Sequence, residues 1–394
     1  MLELARQPTC RLSGESLADA RVILDLPACP LPGVYAPDAP AARALRSPLR
    51  VVQARTSGLV QLAHRFDPAV YADYGFAADT SVAYRTHLAW FADAVAAGSP
   101  RDAAVLEVGC GDGLLLALLE QRGFTDRLGV DPGRAAGAAG RQDVVGGWFP
   151  DALDVAAPGR RHDVVIARHV LEHIETPVPF MAALAERLAP EGELWIEVPD
   201  LDSTLRRQLW SNLYQLHCTY FDAASLDALA ATAGLVCTGG EIVDVFGGSL
   251  LRRYRHGRPD PLPAAPARDG LSYSVSAFRS RLRRLAAALP PGTAGYGAAE
   301  RTAMTLGAAP ELAARLTALY DGNPLLHGRH LAGVALPIAS PDALYAARPP
   351  AVVLFAISHR SEILSAWRDR MPGSTLVAVA GKDEAPRRLR EVGS

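Results

Sequence analysis

Residues 104–113 read Ala-Val-Leu-Glu-Val-Gly-Cys-Gly-Asp-Gly, and a second apolar stretch, Leu114–Glu120, follows directly. An apolar strand that runs through a glycine-rich turn into a helix has a definite use. Gly109, Gly111 and Gly113 let the backbone turn tightly and let a ligand lie against it. The start of the helix offers N–H groups to that ligand. Leu128-Gly129-Val130 then forms a short strand that ends on Asp131, where an acid can accept both hydroxyls of a ribose. The spacing is G-x-G-x-G with Glu107 two residues ahead of the first glycine, and Asp112 lies inside the turn. The dinucleotide fingerprint is G-x-G-x-x-G, so NAD or another nucleotide is the lesser alternative. Trp148 and Phe149 are candidates to cover an adenine, with a core role equally open.

Two further segments carry groups able to move a proton: His169-Val170-Leu171-Glu172-His173 and Tyr214-Gln215-Leu216-His217-Cys218. Imidazole titrates near neutrality and suits a general base. His173 would follow the C-terminal end of a parallel strand, where ligands sit in such sheets. Taken alone, His217 reads as a buried, hydrogen-bonded histidine, and Tyr214 and Tyr220 read as core aromatics. His169 and His173 are four apart and could share a helix face as metal-binding pairs do. The Glu that would follow the first His in H-E-x-x-H is missing, so no metal is expected there. Cys218 reads as a small apolar core residue rather than a nucleophile.

The elements that must position these groups are short apolar strands alternating with helices. Strands are expected at Ala104–Val108, Arg127–Val130, Asp163–Ala167 and Glu193–Val198, a pattern that points to an α/β fold with a parallel sheet covered by helices. Residues 1–62 are rich in Pro and Ala and read as a strand-and-turn module. Residues 63–255 hold the glycine turn. The Pro-rich stretch Arg255–Pro266 is the best linker. Residues 256–394 open with a helix, Leu271–Leu289, and continue as a second α/β unit with strands at Ala294–Tyr296, Ala318–Tyr320, Val352–Phe355 and Thr375–Val379. Gly295-Tyr296-Gly297-Ala298-Ala299 forms its own glycine turn, with Arg301 just beyond.

The chain of 394 residues is 49% hydrophobic and 21% charged, with a net charge of −2, which fits a folded globular protein and not a disordered one. Its basic residues are Arg except for Lys382, and no basic stripe marks a nucleic-acid surface. No apolar run is long enough for a membrane span. The N-terminus lacks the apolar core of a signal peptide. Five scattered cysteines argue against a disulfide framework. Together these point to a cytoplasmic protein in a reducing compartment. The oligomeric state is not readable.

The whole set of strand, Glu107, three glycines, helix, strand and Asp131 is similar to the cofactor turn of class I methyltransferases, which implies S-adenosylmethionine as cofactor. Over nearly its whole length the chain resembles the three-domain sugar C-methyltransferases that act on nucleotide-linked 4-keto-deoxysugars in antibiotic pathways. The resemblance rests on Val22–Leu26 with Pro30-Leu31, Ser57–Leu62, Asp73-Tyr74-Gly75-Phe76, His169–His173, Tyr214–His217 with Tyr220-Phe221, Gly247–Leu250, Gly295–Ala299, and Asp321–Pro324 with His327-Gly328. It implies a class I Rossmann-like methyltransferase domain, a second C-terminal Rossmann-like domain that holds the nucleotide end of the substrate, and a small N-terminal module. It also implies His217 as the base that makes an enolate, with His173 as second candidate and Tyr214 as a donor beside the substrate. Tyr74, Tyr220, Tyr296 and Arg301 would contact the substrate, and an Arg at 301 can meet a phosphate in bidentate fashion.

The chain also departs from that family. Of the four zinc cysteines of the N-terminal module only Cys10 remains, with Ser13, Ala54 and Ser57 at the other positions. One thiolate cannot hold a structural zinc, so none is expected. The family's first His and its Glu in the catalytic segment are Gln215 and Leu216 here. O- or N-methylation of a related metabolite, and binding of the cofactor without transfer, are the alternatives.

Overall fold

The structure is a computed structural model; it describes residues 6–65, 82–133, 141–207, 209–259, 271–356, 360–371 and 373–379. Its centre is a seven-stranded sheet built from β1 (Val105–Val108), β2 (Arg127–Asp131), β3 (Val144–Gly146), β4 (His162–Arg168), β5 (Leu188–Pro199), β6 (Leu235–Val243) and β7 (Ser249–His256). The spatial order is β3-β2-β1-β4-β5-β7-β6. Only β7 runs antiparallel to its neighbours. This is the class I methyltransferase sheet, an α/β fold of Rossmann type. All four residues of β1 are buried, as in a strand covered on both faces, and Val105, Leu106 and Val108 give it its apolar reading around the buried Glu107. The helix α1 (Val82–Gly98) packs Leu88, Phe91 and Val95 on one face of the sheet, together with Leu115 and Leu119 of α2 (Leu114–Gln121).

The C-terminal unit is a five-stranded parallel sheet, β8 (Thr293–Tyr296), β9 (Leu316–Tyr320), β10 (Ile338–Ala339), β11 (Ala351–Leu354) and β12 (Thr375–Ala378), in the order β10-β9-β8-β11-β12. The helix α3 (Glu300–Ala308) leaves its glycine turn. The expected linker lies partly outside the described residues.

The N-terminal strands Arg21–Pro30, Arg46–Gln53 and Val60–Leu62 form an antiparallel sheet whose fourth strand is Thr219–Tyr220. Thr219 pairs with Gln61 and Tyr220 with Val60, so the N-terminal module holds the segment that carries His217. A ribbon of Tyr35–Ala36 with His330–Leu331 ties the same module to the C-terminal unit. One apolar core runs through all three regions, including Leu49 and Val51, Leu213 and Tyr220, and Met304 and Val353.

The five cysteines are unpaired. No helix among the described residues is long and apolar enough to cross a membrane.

Candidate active site

The turn after β1 is glycine-dependent in two different ways. Gly109 sits at φ +77° and a Cβ there would lie 2.1 Å from Val170 Cγ2, so the turn and the segment after β4 touch. Gly111 sits at φ +57° with nothing within 4 Å of the position its Cβ would take, so the backbone there faces open space. Asp131 closes the turn from the end of β2: Gly111 N donates to Oδ2 at 2.9 Å and Gly133 N to Oδ1 at 2.7 Å. Each oxygen keeps a second lone pair for a further donor. Leu114 N donates to Asp112 Oδ1 at 3.2 Å, capping the first turn of α2, and Gly113 (φ 78°) begins that helix in the left-handed conformation.

Beneath the turn lies a buried run of charges. Glu107 is 3% exposed, and burial pushes its carboxyl up to about 8 against the opposing pull of Arg168. Its Oε1 lies 3.9 Å from Arg168 Nη1, and its Oε2 has no partner among the described residues. A cation against the turn, such as the amino group of an amino-acid ligand, would satisfy that oxygen. The open backbone at Gly111, the acid at Asp131 and this orphaned oxygen together fit S-adenosylmethionine. Arg168 Nε donates to Glu197 Oε2 at 2.9 Å, and His87 Nε2 is 2.7 Å from Glu197 Oε1. The charged neighbours hold the Glu197 carboxyl below the usual carboxylate range even though burial works the other way.

The histidines gather at the C-terminal end of β4. His169 is not on a helix, as its spacing from His173 had suggested. It directly follows β4 at φ 51°, and His173 closes the short 3-10 turn Leu171–His173. His169 Nδ1 is 3.3 Å from Glu172 Oε1, and its Nε2 is 3.7 Å from Glu197 Oε1. Burial alone would lower the His169 pKa, but the two carboxylates raise it to about 9.

His173 Nδ1 donates to the Leu216 carbonyl at 2.8 Å, which turns Nε2 toward Glu172 Oε1 at 4.0 Å. The rings of His173 and His217 are 4.9 Å apart, and Tyr214 lies 4.1 Å from His217. Burial, reinforced by His173, pushes His217 down to about 3 despite its hydrogen bond to the Asn212 carbonyl, so it is a neutral imidazole. The sequence ranks His217 ahead of His173. The structure buries His217 and leaves the His173 side chain 22% exposed, so His173 is the more accessible of the two. Tyr220 is buried, and its hydroxyl donates to the Tyr214 carbonyl at 3.0 Å, bracing that loop.

Arg301 at the start of α3 completes this neighbourhood from the C-terminal unit. Burial lowers its pKa, countered by Glu300 and Tyr214. Among the described residues no carboxylate lies at ion-pair distance from its guanidinium.

The remaining candidates fall elsewhere or outside the described residues. Trp148 follows β3 and is 54% exposed, so it is not a core residue. Tyr296 ends β8 and packs on the C-terminal core that holds Val352, Leu354 and Trp367. Tyr74 lies outside the described residues. Glu172, Glu197, Arg168 and His87 were not singled out from the sequence. The Glu172-His173 pair directly after a buried strand was the available signal.

In the N-terminal module the turns at 11–13 and 55–57 face each other. Cys10 Sγ is 3.2 Å from Ser57 Oγ. Glu15 accepts from Ser57 N and Thr56 N, both at 2.9 Å, and from Ser13 Oγ at 3.0 Å. Burial would raise the Glu15 pKa, but these donors hold it down at about 2.

Residues 83–238 match the model of the methyltransferase domain family, and residues 272–379 match that of the C-methyltransferase C-terminal domain. The chain is 26% identical over 347 residues to the C-methyltransferase NovU of Streptomyces niveus, covering 80% of this chain and 82% of that protein. It is 30% identical over 95 residues to a ubiquinone biosynthesis O-methyltransferase of Rickettsia bellii, covering 23% of this chain and 40% of that one. An Acinetobacter baumannii protein of the same name is 29% identical over 128 residues, covering 30% and 51%. With the sheet order, the cofactor turn and these matches together, the chain is an S-adenosylmethionine-dependent methyltransferase with a Rossmann-like catalytic domain.

Proposed function

We propose that the protein methylates a carbon next to the ketone of a nucleotide-linked keto-deoxysugar, with the base drawn from the His173–His217 pair. The observation that carries this reading is that pair itself: two imidazoles 4.9 Å apart, each with one N–H fixed on a backbone carbonyl, beside Tyr214. Attack by an oxygen or nitrogen atom places a lighter demand on a base. A carbon nucleophile needs a C–H proton removed, for which a neutral imidazole is suited. S-Adenosylmethionine, when bound, supplies an electrophilic methyl group on a sulfonium.

The chain's own residues do the rest. The turn at Gly109–Gly113 and Asp131 hold the cofactor, and Glu107 meets its amino group. An imidazole takes the proton, and Tyr214 donates to the oxygen that becomes negative. Arg301 binds the phosphates of the nucleotide, which suits a half-buried guanidinium with no carboxylate at ion-pair distance among the described residues. Trp148 covers the adenine. No metal enters this scheme. In the N-terminal module we assign the task of a zinc ion to Glu15 and Cys10. Division into residues 1–62, 63–255 and 256–394 and a cytoplasmic setting complete the reading. The likeness to NovU covers 80% of this chain, whereas the O-methyltransferases match less than a third of it.

The test incubates the enzyme in heavy water with nucleotide-linked 4-keto-deoxysugars, with and without S-adenosylmethionine. Exchange at the carbon beside the ketone, followed by methylation at the same carbon, is expected. Methylation at oxygen or nitrogen without exchange would overturn the carbon assignment.

A further inference from the structure

The resemblance places a carboxylate next to the second histidine of the catalytic segment, and this chain has Leu216 there, 1% exposed and packed in the core. We propose that Glu172, which comes from a different element, stabilises the imidazolium formed when the His173–His217 pair takes a proton from substrate, and that His169 holds it in place. This inference rests on the keto-sugar reading for its chemistry but not for its geometry.

Glu172 is 2% exposed, yet its Oε2 has no hydrogen-bond partner among the described residues. An unsatisfied buried carboxylate oxygen is costly and calls for a reason. One polar atom each from Glu172, His173 and His217 lie within 4.8 Å of one another. The backbone locks the two segments together, because Cys218 N donates to the Glu172 carbonyl at 2.7 Å. Behind Glu172, His169 is 3.3 Å away and occupies a left-handed backbone conformation that a non-glycine residue adopts at a cost. His169 in turn faces Glu197, which Arg168 and His87 also contact. Positive and negative groups therefore alternate from Arg168 through Glu197 and His169 to Glu172, and a proton arriving on His173 or His217 continues the alternation.

The proton transfer balances simply. The substrate C–H bond breaks and an N–H bond forms on imidazole; the C–H electron pair becomes the carbon–carbon double bond of the enolate while the C=O π pair moves onto the oxygen, to which Tyr214 would donate. Glu172 takes no proton. It is a positioning residue that lowers the energy of the charged imidazole by opposing its charge.

Glu172→Gln and Glu172→Asp test this in the full chain. The titratable and charged groups around the pair are His169, Glu172, Glu175 with its partner Arg11, Cys218, Tyr214 and Tyr220, with Arg168, Glu197 and Arg301 beyond. Histidine ring resonances of the substrate-free protein are followed against pH by NMR. In Glu172→Gln the midpoint of His169, which against burial Glu172 and Glu197 raise to about 9, is expected to fall by about 1 unit, as loss of an opposite charge at 3.3 Å dictates. Turnover is expected to fall about 100-fold, with binding of S-adenosylmethionine unchanged and partial recovery in Glu172→Asp.

Unchanged histidine midpoints in a folded, cofactor-binding Glu172→Gln would overturn the proposal. So would a stoichiometric divalent ion held by Glu172, His173 and His217 in the purified protein. If the midpoints shift but the wild type exchanges no C–H of any keto-sugar, the substrate reading falls and the coupling of Glu172 to the histidines stands.

Discussion

The molecule contains two glycine turns of the same design, and only one is open. In the methyltransferase domain the turn after β1 is held by Asp131, which accepts from Gly111 N and Gly133 N. In the C-terminal unit the turn after β8 is held by Asp321, which accepts from Ala298 N and Asn323 N, both at 2.8 Å. Each acid follows or ends the next strand, and each binds two backbone amides with its two oxygens. Above Gly111 there is open space. A Cβ at Gly297 would lie 2.8 Å from Ala356 N, Ala298 is fully buried, and its carbonyl accepts from the Tyr35 hydroxyl at 3.0 Å. A strand, a glycine turn and an acid thus make a rigid corner, and a corner becomes a ligand site only where nothing else covers it. The C-terminal unit offers its charge one turn further on, at Arg301.

The sharpest way to break this comparison is to remove both acids. Asp131→Ala is expected to weaken S-adenosylmethionine by about 100-fold, or ~2.7 kcal/mol, whereas Asp321→Ala should leave it within about twofold by calorimetry. Equal effects would mean that both corners bind nucleotide. Next in size, Arg301→Ala should raise KM for a phosphate-bearing substrate about 10-fold, with the cofactor Kd unchanged and Arg301→Lys intermediate; steady-state kinetics at two ionic strengths read this.

Tyr35→Phe removes the hydroxyl that covers the C-terminal turn. It should cost about 1 kcal/mol in urea unfolding, the net worth of one hydrogen bond, with the denaturant slope unchanged. Gain of nucleotide binding by this variant would show that Tyr35 was the only cover.

The smallest effect belongs to Glu15, a third carboxylate that bridges two backbone amides, in a more exposed setting. Its folded pKa of about 2 lies below the ordinary 4.5 of a glutamate. Its stabilisation is therefore present above about pH 4.5 and lost as the pH falls toward 2. Glu15→Gln should flatten the acid limb of the stability curve in that window and leave stability at pH 7 modestly lower.

The elements easiest to read from sequence were those buried on both faces. β1 and β4 stand within one residue of their expected limits because a central parallel strand reads as a mostly apolar run, Val105, Leu106 and Val108 in β1 and Val164, Val165, Ile166 and Ala167 in β4. The edge strands were harder. Leu235–Val243 is mostly exposed and contains Gly239 and Gly240, so it shows neither an apolar run nor clean alternation. The pairing of Thr219–Tyr220 with Val60–Gln61 joins residues more than 150 positions apart and leaves no local signal. In the site, the glycines and Asp131 were legible because a turn is a property of neighbouring residues. Glu172 was not, since a Glu in a short turn after a strand is ordinarily solvated, and only burial gives it a consequence.

By itself, then, the sequence determined the cofactor corner. Its geometry is set by residues that permit left-handed backbone and by an acid one strand away, all within a single β-α-β unit. Tertiary structure alone decided the rest: which corner stays open, that His173 reaches the surface while His217 does not, and that Glu172 stands where Leu216 leaves no charge. Desolvation and the field of nearby charges arise from groups brought together across the chain, and neither is encoded in the spacing of any one motif.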